Sequence, residues 1–250
     1  MLFLSIALGL LTGGLLGLLG GGGSIIAVPI MVYILGLEAK AAIGTSLVIV
    51  GVASFLAAIS HYRRDSVLIR TALLFGGAGA IGSYLGAIAG KNLSDSTQLI
   101  LFALAMALIG ALMLMQRQKL PAESASIEGN KIAKILLAGC GAGALTGLLG
   151  VGGGFIIVPA LTFVVGLSIR EAVGTSLLVI SMNSLVGAAT YASFVRCGNT
   201  VLPFVAGTIA AAPIAGHFAH HVRQNQLKTG FAITLLALSG FMLAKQFLGF

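Results

Sequence analysis

The stretch "LLGGGGSIIAVP" runs from Leu18 to Pro29, and "LLGVGGGFIIVP" runs from Leu148 to Pro159. Each sits inside an apolar run too long to be one helix. A continuous helix from Leu2 to Leu35 would measure about 50 Å, whereas the hydrocarbon core of a bilayer is about 30 Å thick. The chain must break, and the glycines Gly20 to Gly23 supply the break. Pro29 loosens the second piece by removing an intrahelical donor. Irregular backbone at membrane depth is tolerated only inside protein or along a cavity, so the broken segments are expected at the interface between the two parts of the molecule.

The membrane setting is dictated by composition. Hydrophobic residues make up 58% of the 250 residues, charged residues 8%, and the mean hydropathy is +1.10, outside the range of water-soluble globular domains. Apolar runs cover Leu2 to Leu19, Ser24 to Leu35, Ile43 to Ser60, Ile69 to Ala89 and Leu99 to Met115. The strand alternation of an outer-membrane barrel is absent. The predicted fold is therefore an all-α integral membrane protein.

The two glycine stretches belong to a repeat with an offset of 130 residues, which aligns Gly17 with Gly147, Pro29 with Pro159 and Gly110 with Gly240 without a gap. It also superposes Gly44-Thr45-Ser46 on Gly174-Thr175-Ser176, and 16 of the 31 positions from Gly17 to Leu47 are identical. The reading is a first membrane repeat over 1–116, a polar linker over 117–134 and a second repeat over 135–250, the two repeats forming one transport domain. Each is a glycine-broken helical hairpin followed by three transmembrane helices. The apolar N-terminus lacks a basic n-region and recurs at Ile135 to Gly147, so it reads as structure rather than a signal peptide.

Charge placement orients the repeats. If each broken segment returns to its starting side, Arg63, Arg64, Arg70, Arg117, Lys119, Lys131, Lys134, Arg170, Arg223 and Lys228 share one face, and Lys40, Lys91, Arg196 and Lys245 the other. The alternative in which the broken segment crosses fully divides the same residues nine to five. A broken segment that crosses twice also gives ten to four, and the positive-inside rule favours the returning arrangement over the single crossing, with inverted repeats, a cytoplasmic linker and outer-face termini.

At a break, the second half-helix offers free N–H groups and the positive end of its dipole, which suits an anion. Gly22, Gly23 and Ser24 in one repeat and Gly152, Gly153 and Gly154 in the other are the expected contacts, converging near a pseudo-twofold axis. The GxxxG pairs Gly13/Gly17, Gly82/Gly86, Gly86/Gly90, Gly139/Gly143 and Gly143/Gly147 read as helix packing. Thr45, Ser46, Thr175 and Ser176 open the next helix of each half. Ser176, Asn183 and Thr190 then continue at a spacing of seven as a polar stripe whose counterparts are Ser46, Ala53 and Ser60. These residues complete the expected substrate path, against the competing possibility that the hydroxyls bond their own helix and the amide joins two helices.

Other chemistries fit poorly. Neither glycine cluster carries the Lys-Ser/Thr of a phosphate-binding loop, and no soluble βαβ unit surrounds it. Ser24 aligns with Gly154, which disfavours a membrane serine hydrolase. Cys140 and Cys197 fall at non-equivalent positions and read as small packing residues. Asp65, Glu38, Glu171, His61, His217, His220 and His221 are expected at solvated helix ends. No catalytic residue, metal site, cofactor or nucleic-acid partner is indicated.

The paired glycine break with Val-Pro, together with "AAIGTSL" from Ala41 and "EAVGTSL" from Glu171, resembles the TauE/SafE family of sulfite and organosulfonate exporters, also grouped with 4-toluenesulfonate uptake permeases. The resemblance covers nearly the whole chain. It implies a bacterial or archaeal inner-membrane carrier for small sulfur-containing or organic anions, with a proton or cation as candidate coupling partner and room for a homo-oligomer. An anion channel of the same architecture and a non-transporting membrane scaffold are the alternatives. Gly-Gly-Gly-Gly-Ser against Gly-Val-Gly-Gly-Gly, and Asn183 against Ala53, mark where the halves differ.

Overall fold

The computed structural model describes residues 2–20, 22–115, 129–150, 153–196, 198, 201–218 and 224–248, and they are helical throughout apart from short connections. The first half contains α1 (Leu2–Leu19), α2 (Gly22–Pro29), α3 (Ala39–Tyr62), α4 (Ile69–Lys91) and α5 (Asp95–Met115). The second repeats the order with α6 (Gly129–Leu149), α7 (Gly154–Ala160), α8 (Ile169–Thr190), α9 (Val201–Phe218) and α10 (Gln224–Leu248). Eight of these helices are long and apolar enough to cross a bilayer, four in each half. The first arm of each broken hairpin, α1 and α6, is thus itself of membrane-spanning length, where the sequence suggested only three such helices per half.

The glycine clusters break the chain as expected. Gly20 and Gly150, equivalent across the repeat, both adopt φ +68°, a conformation L side chains rarely take. After the reversal Gly23 lies against Thr12 and Leu16 of α1, so α2 runs back along α1. Each short helix then widens into one π turn, Ile30–Ile34 after Pro29 and Leu161–Val165 two residues after Pro159. Proline cannot supply the donor that regular α-helical pairing needs, which allows the register to slip.

Packing interleaves the halves. Missing side chains at Gly9, Gly13 and Gly17 let α1 lie directly on the backbone of Phe204, Thr208 and Ala212, so α1 and α9 run parallel. The equivalent pair is α6 on α4, where Gly139, Gly143 and Gly147 meet the backbone of Phe75, Gly79 and Ser83. An added Cβ at Gly143 would stand 2.0 Å from the Gly79 carbonyl oxygen. The GxxxG glycines therefore do the close packing that the sequence suggested, but between halves rather than within them.

At the centre, α3 packs on α8. Gly44 faces Tyr191, Gly51 faces Ser184 and Leu185, and Gly187 faces Leu47, so these equivalent helices run antiparallel. Their apolar windows are 72% buried, against 28–44% for the other spanning helices, which makes them the inner pair. The α5–α10 pair is antiparallel too, with Gly110 facing Ala232 and Leu236 and Ser239 bonded to the Ala103 carbonyl. The outer helices turn large apolar residues such as Leu73, Ile81, Leu108, Leu137 and Ile233 outward, the surface a lipid environment covers.

Candidate functional site

The Gly-Thr-Ser signatures begin the inner helices, and their hydroxyls are engaged. Ser46 Oγ donates to the Gly150 carbonyl at 3.0 Å and to its own Ile43 carbonyl at 2.9 Å. Ser176 Oγ makes the matching pair with Gly20 at 2.8 Å and Val173 at 2.8 Å. Thr175 Oγ1 accepts from the Leu68 N–H at 3.0 Å, and Thr45 Oγ1 from the Arg196 N–H at 3.0 Å. Every one of these contacts except the i−3 bonds joins one half to the other. The signature latches each inner helix onto the opposite half's glycine break and connecting loop.

The breaks themselves stay apart. Gly20 rests against Ser176 in the second turn of α8, and Gly150 against Ser46 in the second turn of α3. Because α3 and α8 are antiparallel, these points are separated by about 20 Å along the helix axes at ~1.5 Å per residue. The expected convergence of the two half-helix N-termini on one anion is thus not what the fold builds. Gly22, Gly23 and Ser24 form the first turn of α2, with Gly23 packed on α1. Gly153, at φ +65°, and Gly154 lead into α7, whose seven residues make a short dipole. Gly152 and Cys197 lie outside the described residues, as do His220 and His221.

Among the described residues, the inner pair carries three wholly buried polar side chains without partners. Asn183 is wholly buried, and neither its Nδ2 nor its Oδ1 has a hydrogen-bond partner. Its amide is seated against Gly79 of α4, where an added Cβ would come within 2.6 Å of Nδ2. Its main-chain carbonyl, by contrast, accepts from Ser83 Oγ at 2.9 Å. Ser184, whose Cβ lies against Gly51 of α3, and its repeat equivalent Ser54 on α3 are also wholly buried with unpartnered hydroxyls. Thr190, the end of the predicted stripe, bonds its own Val186 carbonyl at 3.2 Å. Of the stripe only Asn183 is left available. Ser54, Ser184 and Gly79 were not singled out from the sequence, although the identity of Ser54 and Ser184 at the 130-residue offset was a readable signal.

A second asymmetry lies at the far ends of the same helices. His61 and Tyr191 are repeat equivalents. His61, expected in a solvated end, is only 1% exposed, and its Nε2–H donates to the Gly17 carbonyl at 3.2 Å. Tyr191 is fully buried, and Gln98 Nε2 bridges its hydroxyl at 3.0 Å to the Leu148 carbonyl. Burial pushes the Tyr191 phenol above its ordinary value, the Gln98 bond opposes this, and the nearby Asp95 charge adds to it. Among the described residues, no group of three or more His, Cys, Asp or Glu could hold a metal.

The sequence profile described as "Sulfite exporter TauE/SafE" matches residues 5–242. The chain belongs to the TauE/SafE family. Its relatives include a "Probable membrane transporter protein" of Xylella fastidiosa, 34% identical over 97% of this chain and 95% of the relative. Another is the "Probable membrane transporter protein YdhB" of Bacillus subtilis, 28% identical over 93% of this chain and 96% of the relative. No solved structure matches this TauE/SafE chain. It is a multi-pass integral membrane protein and a membrane transporter.

Proposed function

We propose that this TauE/SafE protein is a secondary carrier exporting a small sulfur-containing or organic oxyanion, such as sulfite or a sulfonate, across a bacterial or archaeal cytoplasmic membrane. The substrate binds near mid-height of the inner helices α3 and α8. Two inverted repeats, 1–116 and 135–250, form one transport unit around it, with the 117–134 linker on the cytoplasmic side. The antiparallel run of α3 on α8 and of α5 on α10 supports inversion, because a twofold axis in the membrane plane reverses every equivalent pair.

One observation carries the location of the site: Asn183 is a wholly buried carboxamide with both ends unpaired. A buried polar group without partners costs stability, so its presence in the best-packed helix pair calls for a ligand that completes it. The amide N–H groups and the Ser54 and Ser184 hydroxyls give neutral donors, suited to an anion that must be released as well as bound. Thr45, Ser46, Thr175 and Ser176 then hold the two halves around the path through their bonds to the breaks and connecting loops.

The test is Asn183→Leu in proteoliposomes. Leucine keeps the branched skeleton of asparagine and leaves no orphaned polar atom, while its methyls are bulkier than the amide, so the thermal midpoint in detergent is measured as the control for folding. Sulfite flux is expected to fall about ten-fold or more, the value of one to two hydrogen bonds to a charged ligand. Normal flux in a folded Asn183→Leu protein would remove the site from this position.

A further inference from the structure

We infer that the transported species is an oxyanion carrying its own proton: a group that presents an acidic O–H beside an acceptor oxygen, as in hydrogen sulfite, rather than a fully ionised anion. The inference rests on the carrier reading above and specifies its substrate. A carboxamide is half donor and half acceptor. An anion without a proton can pair with Asn183 Nδ2 but not with Oδ1, and in this structure both atoms are buried and both lack partners. Whichever way round the amide lies, one of its ends requires a donor from the ligand. An X(=O)–OH group meets the carboxamide edge-on, accepting from Nδ2–H and donating to Oδ1. Ser184, the next residue along α8, and its counterpart Ser54 on α3 are unpartnered too and can each donate or accept as the ligand passes.

No titratable side chain lies beside the amide: the buried His61 and Tyr191 stand at the ends of the inner helices, roughly 12–14 Å from Asn183 along the axes at ~1.5 Å per residue. From Ala41 to Ser60 and from Ala172 to Thr190 the inner helices contain no titratable side chain. On the facing stretches of α4, α6 and α7, over Thr71–Gly90, Ile132–Leu149 and Gly154–Ala160, the ionisable side chains are Tyr84, Lys134 and Cys140; Tyr84 is exposed, and Lys134 is near the start of α6. The proton therefore rides on the substrate. Hydrogen sulfite crosses as a monoanion and on the far side dissociates to sulfite and a proton, so charge and atoms balance without a carboxylate relay.

Proteoliposomes holding a pH-sensitive dye test this, with protein-free vesicles subtracted to remove passive leak. Sulfite is compared with methanesulfonate, which stays ionised and has no O–H. The expected result is protein-dependent sulfite entry that rises on acidification in step with the hydrogen sulfite fraction, acidifies the lumen, and exceeds methanesulfonate entry at least ten-fold. Gly79→Ala, which presses a methyl onto the amide, is expected to slow sulfite entry without changing the preference. Equal entry of the two anions, each lost in Asn183→Leu, overturns the inference and leaves the carrier reading standing. Entry of both untouched by Asn183→Leu overturns it as well, since the amide then holds a structural water only. Absence of flux for either anion in folded protein overturns the carrier reading and the inference together.

Discussion

The Ser176 hydroxyl donates to the Gly20 carbonyl at 2.8 Å, so a residue of the second half closes the backbone break of the first, and Ser46 and Gly150 form the reciprocal pair at 3.0 Å. A carbonyl freed by a left-handed glycine has no helical donor, and deep in the protein it needs one from elsewhere.

Ser46→Ala and Ser176→Ala are therefore expected to lower stability by about 1–3 kcal/mol each, the cost of orphaning a buried acceptor. Thermal midpoints in detergent measure this. If the midpoints stay fixed while anion flux disappears, the hydroxyls serve the substrate and not the latch.

Neighbouring glycines of α6 should respond with opposite signs. Gly141 has open space where its Cβ would go, so Gly141→Ala is expected to stabilise by about 0.5–1 kcal/mol through helix propensity. At Gly143 the added methyl would meet the Gly79 backbone, and Gly143→Ala is expected to destabilise by about 1–3 kcal/mol. Equal melting of the two variants would contradict the parallel α4–α6 contact.

Two left-handed glycines give a similar contrast. Gly36 and Gly153 have φ +70° and +65°, but Gly36 has nothing near it, while a Cβ at Gly153 would overlap Thr146 Oγ1. Gly36→Ala should cost about 1–2 kcal/mol from strain alone, and Gly153→Ala should fail to accumulate as folded protein. Size-exclusion profiles of the solubilised variants separate the two outcomes.

Inversion predicts sidedness. Lys40 and Arg170 are repeat equivalents at the starts of α3 and α8. Introduced singly as Lys40→Cys and Arg170→Cys in a background lacking Cys140 and Cys197, they are expected to react with an impermeant thiol reagent from opposite faces. Reaction from the same face would show parallel repeats.

Gln98 spans from Tyr191 to the Leu148 carbonyl, and Gln98→Ala strips both of their partner. A loss of about 1–3 kcal/mol is expected, read as an earlier melting transition. Tyr191→Phe, which leaves the Leu148 contact in place, should cost less.

The elements were largely legible because their signals are local. Apolar runs set helix lengths, the glycine clusters forced reversals, and a constant offset aligned the two glycine clusters and the two Gly-Thr-Ser signatures. Which helix meets which was not legible: the spacing of Gly9, Gly13 and Gly17 requires a close backbone neighbour, but nothing in it specifies α9 over α4. The fate of a hydroxyl was equally hidden, since Ser46 and Ser54 read alike in sequence. One is drawn to a broken backbone elsewhere in the chain and the other is left bare. Asn183 was recognisable because its counterpart is alanine, while His61 was misplaced because proximity to a helix end says nothing about what covers that end.

The seating of α1 on α9 has a consequence for biosynthesis. A ribosome adding about 5–20 residues per second delivers α9 roughly 10–40 seconds after α1 has entered the bilayer. Throughout that interval the glycine face of α1 has only lipid, or an insertion factor, against it. The two stretches of chain that finally touch are among the most distant in order of synthesis, so assembly of the first half cannot finish until most of the second has been made.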